Sequence, residues 1–256
     1  MTLHPDKIAL VTGAVTRIGA AISRRLAGAG FAVVIHHRSK PAEAEALAAE
    51  LRAAGGQAAT VQSDLADRPQ RARTIADAAA HFGPLTLLVN NASSFDRDSA
   101  RDLDEALWDQ HFAIHAEAPA FLARDFAAQL PRGCKGNIVN LIDERVLDLS
   151  PAFFSYTLSK SVLWTMTRTL AQSLAPQIRV NAIAPGPSVP PPGITPEAHA
   201  ARNAELPLGQ AADAEGIADG VIAILGLPSM TGQMLALDGG EHIEWPERRG
   251  PTPRRR

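Results

Sequence analysis

The sequence predicts a single open α/β domain in which helices cover both faces of a parallel sheet. Short apolar runs of strand length alternate along the chain with helical patterns, which is typical of parallel strands joined by crossover helices. The 256 residues suffice for one large core, and α/β folds commonly keep this length as one domain. No internal repeat or interdomain linker is visible, so we assign residues 1–245 to one domain.

Seven strands and five helical regions are expected in the following order. The strands are placed at 8–11, 32–35, 58–62, 85–89, 137–142, 178–184 and 233–237. The helical patterns lie near 20–27, 42–54, 71–82 and 103–130, and a fifth helix carries Tyr156. The proline-rich segment 185–207 predicts a loop with a short helix, which we expect to cover the substrate. Residues 246–256 are basic and contain prolines, and we expect a poorly ordered tail there.

Composition excludes several classes of partner. The 25 basic and 27 acidic residues give a formal net charge of −2, so no global field attracts nucleic acid. The single cysteine, Cys134, excludes an internal disulfide and suits a reducing compartment. The first seven residues contain no apolar signal core, and no apolar run is long enough to span a bilayer. We therefore expect a cytoplasmic protein that acts on a small molecule, without a metal, a nucleic acid or a membrane partner.

Tyr156 and Lys160 are four residues apart and therefore lie on one face of their predicted helix. A phenol, with an ordinary pKa of about 10, is a poor acid–base group near neutrality. A neighbouring cation favours the phenolate and brings proton transfer within reach of working pH. An exposed helix face is the plain alternative, and the rest of the chain decides between the two.

The first predicted strand leads into a glycine-bearing turn and then into an amphipathic helix. The turn runs from Thr12 to Gly19 and contains Gly13. Free backbone N–H groups and the helix dipole at such a turn receive a pyrophosphate. Its middle glycine position holds Arg17, which adds a side-chain cation to the backbone donors. The alternative is an ordinary strand-to-helix turn.

Five short motifs, each at the end of a predicted strand or on the fifth helix, occur in a characteristic order. They are Thr12-Gly13…Gly19, Asp64-Leu65, Asn90-Asn91-Ala92, the Tyr156/Lys160 pair and Pro185-Gly186. Together they resemble the short-chain dehydrogenase/reductase family over nearly the whole chain. The resemblance implies a doubly wound Rossmann-type domain. It also implies hydride transfer between a nicotinamide cofactor and a substrate, within an oligomer that is often a tetramer.

The end of the second strand favours NADP over NAD. NAD sites usually place an acidic side chain there for the ribose hydroxyls, whereas this chain has His37, Arg38 and Ser39 and no acid until Glu43. A guanidinium matches the geometry of a phosphate, and a solvated basic loop is the alternative. With the positions that the resemblance implies, the expected NADP(H) contacts are Gly13, Arg17, Ile18, Gly19, His37, Arg38, Ser39, Asp64, Leu65, Asn91, Ala92, Ser93, Tyr156, Lys160, Pro185, Gly186 and Ser188.

Within the family the chain is most similar to the pteridine reductases and their dihydromonapterin-reductase relatives. The likeness rests on Arg17, on His37-Arg38-Ser39, on the run Asn90-Asn91-Ala92-Ser93-Ser94-Phe95, and on Asp143 ahead of Tyr156. Most family members have a serine in the place of Asp143. An ionised carboxylate cannot donate a hydrogen bond to a carbonyl, but it suits a C=N bond whose nitrogen needs a proton. A solvated carboxylate is the alternative, and strand alternation points Glu144 the other way.

Phe95 follows the Asn-Asn-Ala turn, where the nicotinamide is expected. In the resembling reductases a phenylalanine at this position sandwiches the pterin, while Ser93 and Arg17 contact the pterin and the cofactor phosphates. Offset stacking favours planar heterocycles, and a buried core phenylalanine is the alternative. The expected substrate contacts are Arg17, Ser93, Phe95, Asp143 and Tyr156.

His115 departs from the family pattern, because it stands where the fourth helix often has an asparagine that holds a water near the lysine. Imidazole also holds a water, but it is larger and titrates near neutrality. Three outcomes are open: His115 fills the asparagine's role, alters the pH profile, or marks a proton relay that is built differently.

The sequence therefore predicts NADPH-dependent reduction of a dihydropterin, with dihydromonapterin, dihydrobiopterin and dihydrofolate as candidates. Asp143, Tyr156 and Lys160 are the expected catalytic residues: the first two move the proton, and Lys160 holds the nicotinamide ribose. A reductase of a carbonyl such as a 3-oxoacyl thioester is the first alternative. A non-catalytic NADP-binding regulatory protein is the second.

Overall fold

The computed structural model describes residues 7–190 and 193–243. Seven strands form one sheet in which every neighbouring pair is parallel. They are β1 (Ile8–Val11), β2 (Ala32–His37), β3 (Ala58–Gln62), β4 (Leu87–Asn90), β5 (Gly136–Leu141), β6 (Ile178–Pro185) and β7 (Met234–Leu237). The predicted seven-stranded parallel sheet is confirmed. The expected tail at 246–256 lies outside the described residues, as do two positions of the proline-rich segment.

Helices connect the strands. They are α1 (Arg17–Gly28), α2 (Pro41–Ala53), α3 (Arg68–Phe82), α4 (Glu105–Phe112), α5 (Ala118–Gln129), α6 (Phe154–Leu174), α7 (Pro196–Ala204) and α8 (Ala214–Leu225). A π-helical turn, Ala113–Glu117, separates α4 from α5, so the helical region expected at 103–130 is interrupted. Short 3₁₀ turns lie at Glu144–Val146 and Glu241–Ile243. No helix among residues 7–190 and 193–243 combines the length and apolar character needed to cross a membrane.

The central strand β1 explains why both faces of the sheet are covered. All of its residues are buried, and side chains of a strand alternate between faces. Ala9 and Val11 belong to the core beneath α1, α2 and α8, whereas Ile8 and Leu10 belong to the core beneath α3, α5 and α6. The sheet is therefore doubly wound, as predicted.

The strand order β3-β2-β1-β4-β5-β6-β7 reverses direction between β1 and β4. At such a point the connections leave the sheet on opposite faces and open a crevice at the carboxyl ends of the strands, where open α/β sheets bind ligands. The glycine turn follows β1, and the Asn91 turn follows β4. The sequence motifs thus meet at one edge of the sheet.

Candidate active site

Two glycines allow the turn after β1 to pack against the turn after β4. Gly13 has a φ of +59°, and a Cβ added to it would lie 2.9 Å from Ala92 Cα. A Cβ on Gly19 would lie 2.5 Å from the carbonyl oxygen of Gly13. Asn91 Nδ2 donates to the carbonyl oxygens of Thr12 and Gly13 at 2.8 and 3.0 Å. No described side chain caps the first turn of α1, so its backbone donors fit a pyrophosphate.

His36 holds this turn from the neighbouring strand, and the sequence analysis missed it. Its Nδ1 accepts from the backbone N–H of Gly13 at 3.0 Å, so its Nε2 carries the proton and donates to the carbonyl of Ser63 at 3.0 Å. Burial lowers the pKa of His36 to about 4, which keeps the imidazole neutral. The sequence does contain a signal for this role of His36, because strand alternation turns His36 and His37 to opposite faces of β2.

The residues expected to select the cofactor lie together at the end of β2. His37 is buried, and its Nδ1 has no hydrogen-bond partner within the described part of the chain. Arg38 and Ser39 are exposed directly beyond it. Two exposed polar side chains beside a buried unpartnered nitrogen fit a phosphate.

The other expected cofactor positions border the same edge of the sheet. Arg17 Nη2 donates to the carbonyl of Val189 at 3.2 Å, so it ties the glycine turn to the loop after β6. In that loop, Ser188 N–H donates to the carbonyl of Gly186 at 2.7 Å. Pro185 is the last residue of β6, and Ile18 packs against the core beneath α1. After β3, Leu65 is buried, and Asp64 Oδ1 accepts a hydrogen bond from Ala66 N–H.

Asp143, Tyr156 and Lys160, the three expected catalytic residues, are close together. The Tyr156 hydroxyl donates to Asp143 Oδ2 at 2.8 Å. Lys160 Nζ donates to the carbonyl of Leu141 at 2.8 Å and lies 5.6 Å from the centre of the Tyr156 ring. Both Tyr156 and Lys160 are buried. Asp143, rather than Glu144, therefore meets the tyrosine.

The pKa of Tyr156 moves opposite to the direction expected from its lysine. Burial, the charge of Asp143 and the hydrogen bond to Asp143 raise it well above its ordinary value. Burial lowers the pKa of Lys160 to about 8, and its ammonium group bonds to a carbonyl rather than to the phenol. Burial and Asp143 together thus keep the phenol protonated, in the form that can give up a proton.

Phe95 lies beside Tyr156, but its ring is already stacked on another ring. It is 40% exposed, which excludes a buried core position. Its ring stacks on Phe153 with centroids 4.4 Å apart and planes at 11°, and it meets Tyr156 edge-on at 4.9 Å. Phe153 precedes α6 and has a left-handed φ of +58°. The aromatic wall therefore has two rings, of which the sequence predicted only Phe95.

Arg145 is a second residue that the sequence analysis missed. Its guanidinium lies 5.7 and 5.0 Å from the ring centres of Phe95 and Phe153. Its Nε is 3.8 Å from Asp143 Oδ1, and this buried nitrogen has no hydrogen-bond partner among residues 7–190 and 193–243. The Arg145 cation thus lies between the aromatic wall and the carboxylate of Asp143, and its Nε remains available to an acceptor atom.

The pattern of a short chain dehydrogenase matches residues 7–192, more than half of the chain. The protein belongs to the short-chain dehydrogenase family. Pteridine reductase 1 of Leishmania tarentolae is 32% identical over 283 aligned positions, which cover 94% of this chain and 98% of the relative.

Two solved structures resemble this short-chain dehydrogenase over nearly its whole length. FolM Alternative dihydrofolate reductase 1 from Brucella canis, complexed with NADP, is 46% identical with a TM-score of 0.90 and covers 96% of this chain and 98% of its own. The protein of the same name from Brucella suis, in complex with NADP, is 47% identical with a TM-score of 0.91 and covers 95% and 98%. The resemblance to pteridine reductases drawn from the motifs is confirmed at the level of relatedness.

Proposed function

We propose that this short-chain dehydrogenase uses NADPH to reduce the C=N bond of a dihydropterin. The observation that carries the proposal is the 2.8 Å hydrogen bond from Tyr156 to Asp143. A carboxylate beside the tyrosine cannot donate to a substrate carbonyl, but it can take up and release a proton during the reaction. The reduction forms a C–H bond at the ring carbon and an N–H bond at the ring nitrogen, so one hydride and one proton are needed.

The residues around the crevice fit the proposed cofactor. The first turn of α1 would receive the pyrophosphate, His37, Arg38 and Ser39 the 2′-phosphate, and Lys160 the nicotinamide ribose. When bound, NADPH supplies the hydride. The names of the relatives support both halves of the proposal, because pteridine reductase and dihydrofolate reductase act on pterin rings and the Brucella structures contain NADP.

The protein's own residues would supply the proton and hold the substrate. Burial and Asp143 keep Tyr156 protonated, and Tyr156 would give its proton to the ring nitrogen, directly or through Asp143. Phe95 would stack on the pterin, and the free Nε of Arg145 would donate to an acceptor on the same ring. We further propose that the enzyme is a cytoplasmic homotetramer.

A panel of NADPH-oxidation assays tests the proposal. The substrates are dihydromonapterin, dihydrobiopterin, dihydrofolate, a 3-oxoacyl thioester and a blank without substrate. We expect turnover with at least one dihydropterin, and a strong loss of it in Asp143→Ser, since serine does not exchange a proton at working pH. Turnover of the thioester alone would identify a carbonyl reductase, and NADPH binding without any turnover would favour a regulatory protein.

A further inference from the structure

A buried histidine joins the turn after β4 to the catalytic helix. His115 lies in the π-helical turn between α4 and α5. Its Nε2 is 2.9 Å from Ser93 Oγ, and its Nδ1 is 2.9 Å from Ser159 Oγ. Ser93 lies two residues before Phe95, and Ser159 lies on α6 between Tyr156 and Lys160. Single-turn π-bulges are frequent at functional sites.

The neighbouring donors fix which nitrogen of His115 carries the proton. Ser94 N–H points to Nε2 at 3.3 Å, so Nε2 is an acceptor. Ser159 Oγ donates to the carbonyl of Tyr156 at 2.7 Å, so it accepts from Nδ1–H. The ring is thus a neutral Nδ1–H tautomer. Burial and the nearby Lys160 and His111 hold the pKa of His115 well below its ordinary value.

We propose that His115 is a positioning residue that holds the turn carrying Ser93 and Ser94 beside Tyr156, within reach of the phenolate that forms during turnover. The His115 ring lies edge-on to the Tyr156 ring with centroids 5.3 Å apart, and Phe95, two residues after Ser93, meets Tyr156 edge-on at 4.9 Å. Ser93 lowers the pKa of Tyr156, against the larger effects of burial and of Asp143. When the Ser93 hydroxyl rotates to donate to the phenolate, Nε2 keeps its hydrogen bond from Ser94 N–H, so His115 still holds the turn in place. The chain of hydrogen bonds ends at the carbonyl of Tyr156, so His115 holds the geometry and conducts no proton.

Substitution of His115 by asparagine or by glutamine tests its two contacts separately. An asparagine amide reaches no further than the position of Nδ1 and can bond to Ser159, whereas a glutamine amide reaches the position of Nε2 and can bond to Ser93. We expect His115→Asn to lower kcat about tenfold, the size of one hydrogen bond, with a smaller change in the KM for NADPH. We expect His115→Gln to retain most of the turnover.

Two further variants, Ser93→Ala and His81→Asn, complete the comparison. Ser93→Ala should lower kcat as much as His115→Asn, and the double variant should lose no more than either single variant, because both remove the same contact. His81→Asn, on the exposed face of α3, controls for the exchange itself and should match the wild type. Wild-type turnover in His115→Asn, equal losses in the Asn and Gln variants, or multiplying losses in the double variant would each overturn the proposal.

The proposal rests on the reductase activity but not on the pterin. If only the thioester is reduced, the pterin proposal fails and the same variants are compared on the thioester. A readout without substrate is the ¹⁵N spectrum of the histidine rings in the full chain, with the His115 signals assigned by their loss in His115→Gln. We expect the neutral Nδ1–H tautomer between pH 6 and pH 8. An Nε2–H tautomer or a protonated ring there would contradict the proposal.

Discussion

At the scale of single residues, burial and the contact with Asp143 together keep Tyr156 protonated. We expect Tyr156→Phe to keep cofactor binding but to lower turnover by about 10²–10⁴-fold, the usual contribution of a proton-transfer group. The ring and its packing remain while the transferable proton is removed. NADPH titration by fluorescence and steady-state assays measure the two effects separately. Near-normal turnover would show that another group supplies the proton.

Glu144, the neighbour of Asp143, should make the stability of the protein depend on pH. Burial, together with the charges of Asp143 and Glu241, raises its pKa to about 8 from an ordinary 4.5. The folded state therefore binds this proton more tightly than the unfolded state, so the stability from this group is complete below pH 4.5 and is lost as the pH rises to about 8.

Glu144→Gln should remove this loss, because the amide does not ionise. We expect the free energy of unfolding of the wild type to fall more between pH 5 and pH 7.5 than that of the variant, measured by urea denaturation. Glu205→Gln, at an exposed position, is the matched control and should follow the wild type. Identical pH dependence in Glu144→Gln and the wild type would refute a buried, protonated carboxyl.

The sequence located the cluster of Asp143, Tyr156 and Lys160 better than the side chains around it. Tyr156, Lys160 and Asp143 were found because helix periodicity and position relative to a strand end locate them. Arg145 and Phe153 were not found, since each lies in an irregular segment between β5 and α6 where no periodicity assigns a direction to a side chain. The effect of Asp143 on the pKa of Tyr156 was missed because it depends on a 2.8 Å contact and on burial.

At the scale of elements, the start of α6 is capped from a distant loop. The residue before the helix, Phe153, provides no side-chain cap. Instead the buried carboxylate of Asp98 accepts from the backbone N–H of Ser155 at 3.1 and 3.2 Å and from its hydroxyl, which also lies 2.7 Å from His111 Nδ1. An acidic group at a helix N-terminus is favourable.

Removal of this carboxylate should destabilise the protein. We expect Asp98→Ala to cost about 1–3 kcal/mol in the free energy of unfolding, since it deletes a helix cap and leaves buried donors without an acceptor. Turnover should fall as well, because Tyr156 lies in the first turn of α6. Urea denaturation measures the first effect, with Asp104→Ala at the exposed cap of α4 as the control. An equal loss in both variants would indicate ordinary capping only.

The residues after β2 lead to a prediction about cofactor preference. We expect the specificity constant to favour NADPH over NADH at least tenfold, or about 1.4 kcal/mol, which one charged contact to a phosphate can supply. Arg38→Asp should abolish the preference, because it replaces the cation by the acid typical of NAD sites. Steady-state kinetics with both cofactors decide this, and equal use of both by the wild type would exclude a phosphate site.

The strands were predicted more accurately than helix α8. Each strand was located within two residues at either end, because parallel strands are buried on both faces and leave short apolar runs. Helix α8 was missed, although Ile217, Val221 and Ile224 follow helical spacing and Asp213 caps its first turn. It begins at Ala214, shortly after the proline-rich segment 185–207, whose composition favoured a loop with a short helix.

At the scale of the whole molecule, exposed apolar side chains on α5 and α6 support the proposed homotetramer. Leu158 and Val162 lie four residues apart on α6, and Phe121 lies on α5. All three are exposed in the single chain, Val162 by 40%. Tyr156 and Lys160 occupy the buried side of the same helix, so an interface at Leu158 and Val162 would involve the exposed side of the helix that carries both residues.

We expect a mass of four chains in sedimentation velocity, and smaller species for Val162→Glu, because an interface that buries an unpaired carboxylate is strongly destabilised. Leu227→Glu is the matched control, since Leu227 is 49% exposed but lies outside both helices, and it should leave the mass unchanged. If Val162→Glu dissociates the assembly, turnover should fall with it, since the interface supports the helix that carries Tyr156. A wild type that sediments as a single chain would contradict the tetramer and leave the reactions proposed for the crevice unaffected.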